Sequence, residues 1–518
     1  MQGGKGIKTY IKHLLFFPFC IALPLTGQAQ SSTSSAVEQW RQSHEREIIE
    51  EYLELLSIPN VSRNGEDISA NVVKITALFQ GLGFDVSTSA ESNPRDETAP
   101  VIIATRQAEN AAGTLLVYIH YDGVPVTPAL WSTCPPFQPC IANDGEVIEL
   151  TDNIQSFDPQ WRIHGRSASD DKAPIMSMAQ AVKALNATGQ TPAWNIVLLL
   201  DGQEESGSAN FRRYLAEQGD SLQADLAITL DGPRHPSTRP TMYYGVRGGA
   251  SLLVKVHTAQ QPLHSGNYGN WAPDPSVSLG RLLASMKDER GRITIDGFYD
   301  QVTPLTFAEL QALDSIPDIE DELLGEFGIA EPEQADTRLE AKLNLPTLNI
   351  LAMDSGGGLG APGITAIPAF AQARIAMRLV QGIDPAQQQQ KVIAHIRAQG
   401  FHVVENREPT ASERLQYPRL VSVSYSGGRA AVRVPLGHPL TNAVANAISL
   451  DGIRPAQLPT LGGGLPFGDF AEGLDMPTVG VALVNHDNNQ HGPDENLKIQ
   501  NLWEGIEILS RILTMPAQ

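Results

Sequence analysis

Four stretches of this chain read as buried strands and close on a histidine or on carboxylates, the residue types from which a metal site is built. "TLLVYIH" ends on His120 and is followed by Tyr121 and Asp122. Residues two apart on a strand share a face, so Asp122 can accept the second ring N–H of His120 while the other ring nitrogen binds a metal ion. "NIVLLL" runs into a turn that carries Glu204 and Glu205. Adjacent side chains at a strand end diverge, so one glutamate can bind metal while its neighbour stands free as a base. "LAITL" is followed by Asp231, and "TVGVALV" by a run that includes His491. A further pair, Asp170 and Asp171 in "GRSASDDKAP", sits behind a glycine-rich turn and in front of a helical pattern. Singly, each is ordinary, because aspartate caps helices and Asp or Asn before Gly and Pro is turn chemistry. Jointly, two imidazoles and three carboxylates at one sheet edge suit two zinc ions that share a carboxylate.

The elements that must position these residues follow from the apolar pattern. A chain of 518 residues is too long for one ordinary core, which implies two domains or one domain with a large insertion. "VIIAT" (101 to 105) and the four stretches above are near-continuous apolar runs separated by helical patterns. Such runs predict an α/β domain with a mostly parallel sheet, helices on both faces and ligands beyond the carboxyl ends of the strands. The interval 239–430 reads differently. "GASLLVKVH" and "AFAQARIAMRL" alternate with period two, so that Ala373, Ile375, Met377 and Leu379 face one way and Gln372, Arg374, Ala376 and Arg378 the other. That pattern predicts an antiparallel sheet covered on one side, with "PSVSLGRLLASMKD" and "AQQQQKVIAHIRAQG" as covering helices. The expected organisation is a catalytic domain made of residues 30–238 and 431–518, interrupted by an inserted α+β, ferredoxin-like domain at 239–430.

Residues 1–29 carry Lys5, Lys8 and Lys12 ahead of an apolar run from Leu14 to Leu25 and small residues around Ala29. This is the layout of a signal peptide, with an uncleaved anchor as the alternative, and the run is short for a membrane span. A polar linker is expected at Ser31–Ser35. The protein is therefore expected to be exported, periplasmic or secreted, with no membrane association after cleavage. In that setting Cys134 and Cys140 in "WSTCPPFQPC" read as a small-loop disulfide. The net charge of -21, more negative still without the three lysines, excludes nucleic acid and anionic membranes as partners.

"IHYDGVPV", "GRSASDDKAP", "LLDGQEESGS", "LHSGNYGNWAPDP", "MRLVQGIDP" and "NNQHGPDENLKIQNLWEGI" occur in that order. With them the chain resembles the di-zinc metallopeptidase family of carnosinase, carboxypeptidase G, aminoacylase and acetylornithine deacetylase. "GFYDQVTPLT", the long insertion and Asp rather than Glu at 231 resemble its carnosinase and dipeptidase branch. The resemblance implies two Zn2+ per subunit, with Mn2+ or Co2+ possible, held by His120, Asp170, Glu205, Asp231 and His491, with Asp170 as the bridge. It implies Glu204 as general base, Asp122 as the partner of His120, and a cis peptide after Asp170 in a turn held by Asp171. The inserted domain becomes a dimerisation or lid domain, whose His264 reaches the partner's active site in a homodimer and whose Arg378 grips a substrate carboxylate. The sequence departs from the family at Ser167, Asn270, Asp274 and Gly464; the last removes a hydroxyl near the expected carboxylate pocket.

The implied function is hydrolysis of the peptide bond of dipeptides or short peptides, with a metal-bridging water as nucleophile. An N-acyl-amino-acid deacylase or carboxypeptidase would use the same metals and base. A non-catalytic exported binding protein would have no use for Glu204 beside a full ligand set.

Overall fold

The computed structural model describes residues 26–89, 99–356, 365–450 and 452–516. In chain order, the strands of its two main sheets are β1 (Asp85–Thr88), β2 (Ile102–Arg106), β3 (Thr114–His120), β4 (Asn195–Asp201), β5 (Leu226–Thr229), β6 (Thr241–Tyr243), β7 (Gly248–His257), β8 (Thr347–Asp354), β9 (Phe370–Leu379), β10 (His402–Glu405), β11 (Leu420–Ser424), β12 (Ala456–Leu458) and β13 (Thr478–Ala482). The larger sheet has the order β1-β2-β4-β3-β5-β13-β6-β12. Its centre, β4-β3-β5-β13, is parallel throughout. Side chains alternate between two cores. Leu115, Val117 and Ile119 of β3 join one core with the helices Lys172–Ala187 and Ile499–Leu513, while Leu116 and Tyr118 join another with Phe211, Leu215 and Phe470. Burial on both faces is what makes the strand sequences continuously apolar.

One of the expected parallel strands runs the other way. β2, the "VIIAT" run, pairs antiparallel with β4, so its carboxyl end lies at the opposite edge of the sheet. It is also the one run of the five with no ligand-type cluster behind it.

The second sheet has the order β8-β9-β7-β11-β10 and is antiparallel except for the β10–β11 pair. In β9, Ala373, Ile375, Met377 and Leu379 are buried whereas Arg374 and Arg378 are exposed, as the period of two predicts. The helices Pro275–Ala284 and Pro385–Ala398 cover the apolar face. Each opens on Asp-Pro: Asp274 accepts Ser276 N–H at 2.8 Å and Asp384 accepts Gln387 N–H at 2.8 Å, and proline fills the first helical turn where no N–H is needed.

Two boundaries differ from the sequence reading. The second sheet begins at Gly248 rather than at 239, because Thr241–Tyr243 pairs with β13 and β12 in the larger sheet. Met242, Tyr243 and Tyr244 are all buried, so this stretch lacks the polar-apolar alternation that marks the inserted domain. Within the insertion, Leu313 and Ile316 pack on Tyr243, Leu458 and Phe467, so this helical excursion belongs by packing to the edge of the larger sheet. At the other end of the chain, Ser31–Ser35 is no linker but part of the helix Thr26–Ser43, which Val37 and Trp40 anchor on the core. The expected signal peptide lies, up to residue 25, outside the described residues. No helix among the described residues is long and apolar enough to cross a membrane.

Cys134 and Cys140 are joined in a disulfide. Cys140 opens a short strand, Cys140–Asn143, that pairs with Arg162–His164, which in turn pairs with Asn496–Lys498. The bond thus anchors a small sheet as well as a loop.

The helix Ile499–Leu513 seals the larger core, with Ile506 completely buried. Ile506→Ala is expected to cost about 2–5 kcal/mol of stability through the cavity it leaves, measured as a lower denaturant midpoint at unchanged slope.

Candidate metal centre

The ends of β3, β4, β5 and β13 and the turn before the helix Lys172–Ala187 converge on one point. Two groups of possible ligands lie there, His120 with Asp170 and Asp231, and Asp170 with Glu205 and His491, the ligand atoms of each group within 4.8 Å of one another. Asp170 is common to both. Its Oδ1 is 2.8 Å from His120 Nε2 and its Oδ2 is 3.0 Å from His491 Nε2. Asp231 Oδ2 is 3.9 Å from His120 Nε2, and Glu205 Oε1 is 3.2 Å from His491 Nε2. His120, Asp170 and Asp231 are buried, whereas His491 is 53% exposed at the side chain, so the second group faces the opening.

Surrounding residues fix these positions. His120 Nδ1 lies 3.1 Å from the Asp122 carbonyl oxygen and 3.5 Å from its carboxylate, so either acceptor leaves Nε2 for a metal. The Asp122 carboxylate also accepts the backbone N–H groups of Glu204 at 3.0 Å and Glu205 at 3.2 Å, which ties the glutamate turn to the histidine strand. Asp171 accepts the His120 backbone N–H at 3.2 Å, and the peptide bond between Asp170 and Asp171 is cis. Tyr243 O–H donates to the Asp231 carbonyl at 2.6 Å. Its ring lies against Gly480, where a Cβ would collide with it, so glycine at that point of β13 makes room for the brace.

Sequence reasoning missed the residue that holds Asp170, the aspartate common to both groups. Glu495 is fully buried and accepts hydrogen bonds from Ser167 N–H at 3.0 Å, Ser169 N–H at 3.1 Å, Ser169 O–H at 3.0 Å and Asp170 N–H at 3.0 Å, and from the Arg166 guanidinium at 2.5 Å. In sequence it sits in "GPDENLK", which reads as a turn. Gln490 is the second omission; its side-chain amide donates to Asp170 Oδ2 at 2.6 Å.

The electrostatics call for cations. Burial pushes the Asp231 carboxyl up to about 7, with the Asp170 charge adding to the rise. Burial likewise raises Glu204, against the pull of His120. Asp170 is held well below its ordinary value in spite of burial, because His120 and His491 bond to it. Asp170 and Glu205, by hydrogen bonding, lift His491 to about 10. Protons thus stand between carboxylates and imidazoles at the positions where metal ions would compensate the same charge. A donor set of two imidazoles and three carboxylates with one carboxylate shared fits a pair of zinc-type ions.

The inserted-domain residues are not part of this cluster. His264 is exposed and its Nδ1 accepts Gly266 N–H at 3.1 Å. Arg378 is exposed on the outer face of β9, opposite Gly249 of β7. A Cβ at Gly464 would lie 3.0 Å from the Arg247 carbonyl, so the loop passes close against the start of β7.

The model of peptidase family M20/M25/M40 matches residues 116–515. The chain belongs to this family. Among M20 relatives, the human Beta-Ala-His dipeptidase is 26% identical over 431 residues, 81% of this chain and 78% of that one. A Cys-Gly metallodipeptidase of Candida albicans is 25% identical over 90% of this chain and 93% of its own. In fold, the chain matches human carnosine dipeptidase 1 with a TM-score of 0.73 at 23% identity, over 94% of this chain and 100% of that one. It matches an M20 family metallo-carboxypeptidase from Sulfolobus solfataricus with a TM-score of 0.71 at 26% identity, over 90% and 99%.

Because Glu495 acts on Asp170 through the backbone, Glu495→Ala is expected to weaken metal binding about 10- to 100-fold while the far-ultraviolet circular dichroism stays native. Titration of the metal-stripped variant with zinc against a competing chelator measures it.

Proposed function

We propose that this chain is an exported, homodimeric metallo-dipeptidase that hydrolyses the peptide bond of dipeptides or short peptides. The observation that carries the reading is the sharing of Asp170 between two ligand groups, each completed by one histidine and one further carboxylate. His120, Asp170 and Asp231 would hold one ion, and Asp170, Glu205 and His491 the other, with zinc suiting the mixed nitrogen and oxygen donors. Such a pair of ions, when bound, supplies Lewis acidity toward a carbonyl and a water of lowered pKa.

The chain's own residues do the rest. Glu204 is held by its backbone next to the ligand Glu205 and has a raised carboxyl pKa, which suits a group that takes a proton from the attacking water and returns it to the leaving amine. Asp122 keeps His120 and the Glu204–Glu205 turn in register. Arg378 binds the substrate's terminal carboxylate, and His264 of a second protomer stabilises the oxyanion of the tetrahedral intermediate. Residues 239–430, or 248–424 by strand pairing, form the domain that carries both. Export rests on the lysine-then-apolar N-terminus and agrees with the Cys134–Cys140 disulfide.

Glu204→Gln is expected to lower kcat about 10²- to 10⁴-fold with metal content unchanged; retained hydrolysis would remove Glu204 as the base. Simple dipeptides are expected to be cleaved in strong preference to the same dipeptides acetylated at the amine. The reverse preference would make the chain a deacylase or carboxypeptidase on the same metal centre.

A further inference from the structure

The loop 134–140, closed by the Cys134–Cys140 disulfide, is fastened to both segments that brace the metal centre. From its middle, the buried Pro136 carbonyl accepts the Arg166 backbone N–H at 2.8 Å. Gly165, one residue earlier, passes close under the loop; a Cβ there would lie 3.3 Å from the Pro139 Cβ and 3.6 Å from the Pro136 oxygen. Just ahead of the loop, the backbone N–H groups of Ser132 and Thr133 each donate to Asp494 Oδ1 at 2.9 Å, and Asp494 is the chain neighbour of Glu495. The Trp131 ring packs on the Arg166 guanidinium, whose carbon stands 5.3 Å from the ring centroid. Inside the loop, Gln138 N–H bonds to the Pro135 carbonyl at 3.0 Å. Pro135, Pro136 and Pro139 have no N–H to give, so the covalent bond between the ends carries much of the loop's shape.

Arg166 passes this constraint to the ligands. Its Nη1 donates to Glu495 Oε2 at 2.5 Å and its Nη2 to the Gly492 carbonyl at 3.0 Å. Glu495 in turn accepts the Asp170 N–H at 3.0 Å, and Gly492 directly follows His491. One guanidinium, only 2% exposed, thus touches the support of Asp170, which is common to both ligand groups, and the backbone beside His491, which belongs to the second. A planar fork held at two acceptors has little freedom of its own, so its placement follows the backbone of Arg166, and that backbone is bonded to the loop.

We infer that the Cys134–Cys140 disulfide is a redox-sensitive positioning device for the metal centre. Closed, it holds Arg166, and through Arg166 it keeps Asp170 and His491 in binding geometry; opened, it weakens the hold on both ions. The inference rests on the reading of the two ligand groups as a metal centre. Opening is thiol–disulfide exchange: two equivalents of a small thiol give up two electrons and two protons and become a disulfide, and the protein S–S bond is replaced by two cysteine thiols. Cys140 is half-buried, which leaves the bond within reach of such a thiol. Metal affinity then falls in thiol-rich surroundings with every ligand still in place.

Zinc titration of the metal-stripped full chain against a competing chelator tests this, in the oxidised protein and after reduction by a phosphine, which is converted to its oxide with oxygen from water. Reduction is expected to weaken both zinc-binding steps about tenfold, within the range for groups that orient ligands, while the far-ultraviolet circular dichroism stays native. Cys134→Ser/Cys140→Ser, which has no new thiols to bind zinc, is expected to show the weakened affinity and no response to the phosphine. Arg166→Gln is expected to bind zinc weakly whether the disulfide is open or closed, a loss of response that a general stabilising role of the bond does not produce. Equal affinity of the oxidised and reduced protein overturns the inference, as does unfolding on reduction or a response undiminished in Arg166→Gln. Should the double variant fail to fold, the reduced wild type and Arg166→Gln decide the matter. Failure of the oxidised wild type to bind zinc at all overturns the reading of the centre, and the inference with it, and is distinct from equal binding in the two states.

Discussion

The geometry of the centre hangs from one buried carboxylate, Glu495, that stands outside both ligand groups. Glu495 gathers the donors of the Ser167–Asp170 turn onto its two oxygens, and the turn can point Asp170 at both histidines only while they stay gathered. A buried, charged acceptor with several short hydrogen bonds has no competing partner of equal strength in its surroundings. The small sheet beneath it supports the same arrangement: His164 pairs with Asn496, so the residues next to each, Gly165 and Glu495, are brought side by side, and Gly165 N–H bonds to the Glu495 carbonyl at 3.0 Å. The disulfide at Cys140 holds the third strand of that sheet. Fixing Asp170 therefore involves parts of the chain far apart in sequence.

The convergence of these residues was legible because strand ends and ligand-type side chains leave coincident marks. His120, Glu205, Asp231 and His491 each follow an apolar run, and parallel strands buried on both faces bring such ends to one edge. β2 showed the limit of that logic: its apolar run gives burial but not direction, and it runs antiparallel. Glu495 was illegible for a different reason. A glutamate after Pro-Asp looks solvated, and nothing local tells that donors some 325 residues away in sequence will close over it. Thr241–Tyr243 was assigned to the wrong domain because three residues are too few to show a period.

Charge is distributed with a purpose that neither total nor density conveys. At the sheet edge, carboxylates outnumber the imidazoles that face them, a deficit suited to cations.

β13 lies between β5 and β6 in the larger sheet, although the entire insertion separates it from them in sequence. During synthesis, the inserted domain emerges complete while the larger sheet still has a gap at its centre. The same closing segment delivers β13, His491, Glu495 and the sealing helix Ile499–Leu513. Until it arrives, His120, Asp170, Glu205 and Asp231 have neither their second histidine nor the brace on the Ser167–Asp170 turn. Metal capture is thus coupled to completion of the chain, and a nascent or truncated molecule has no assembled centre with which to hydrolyse peptides.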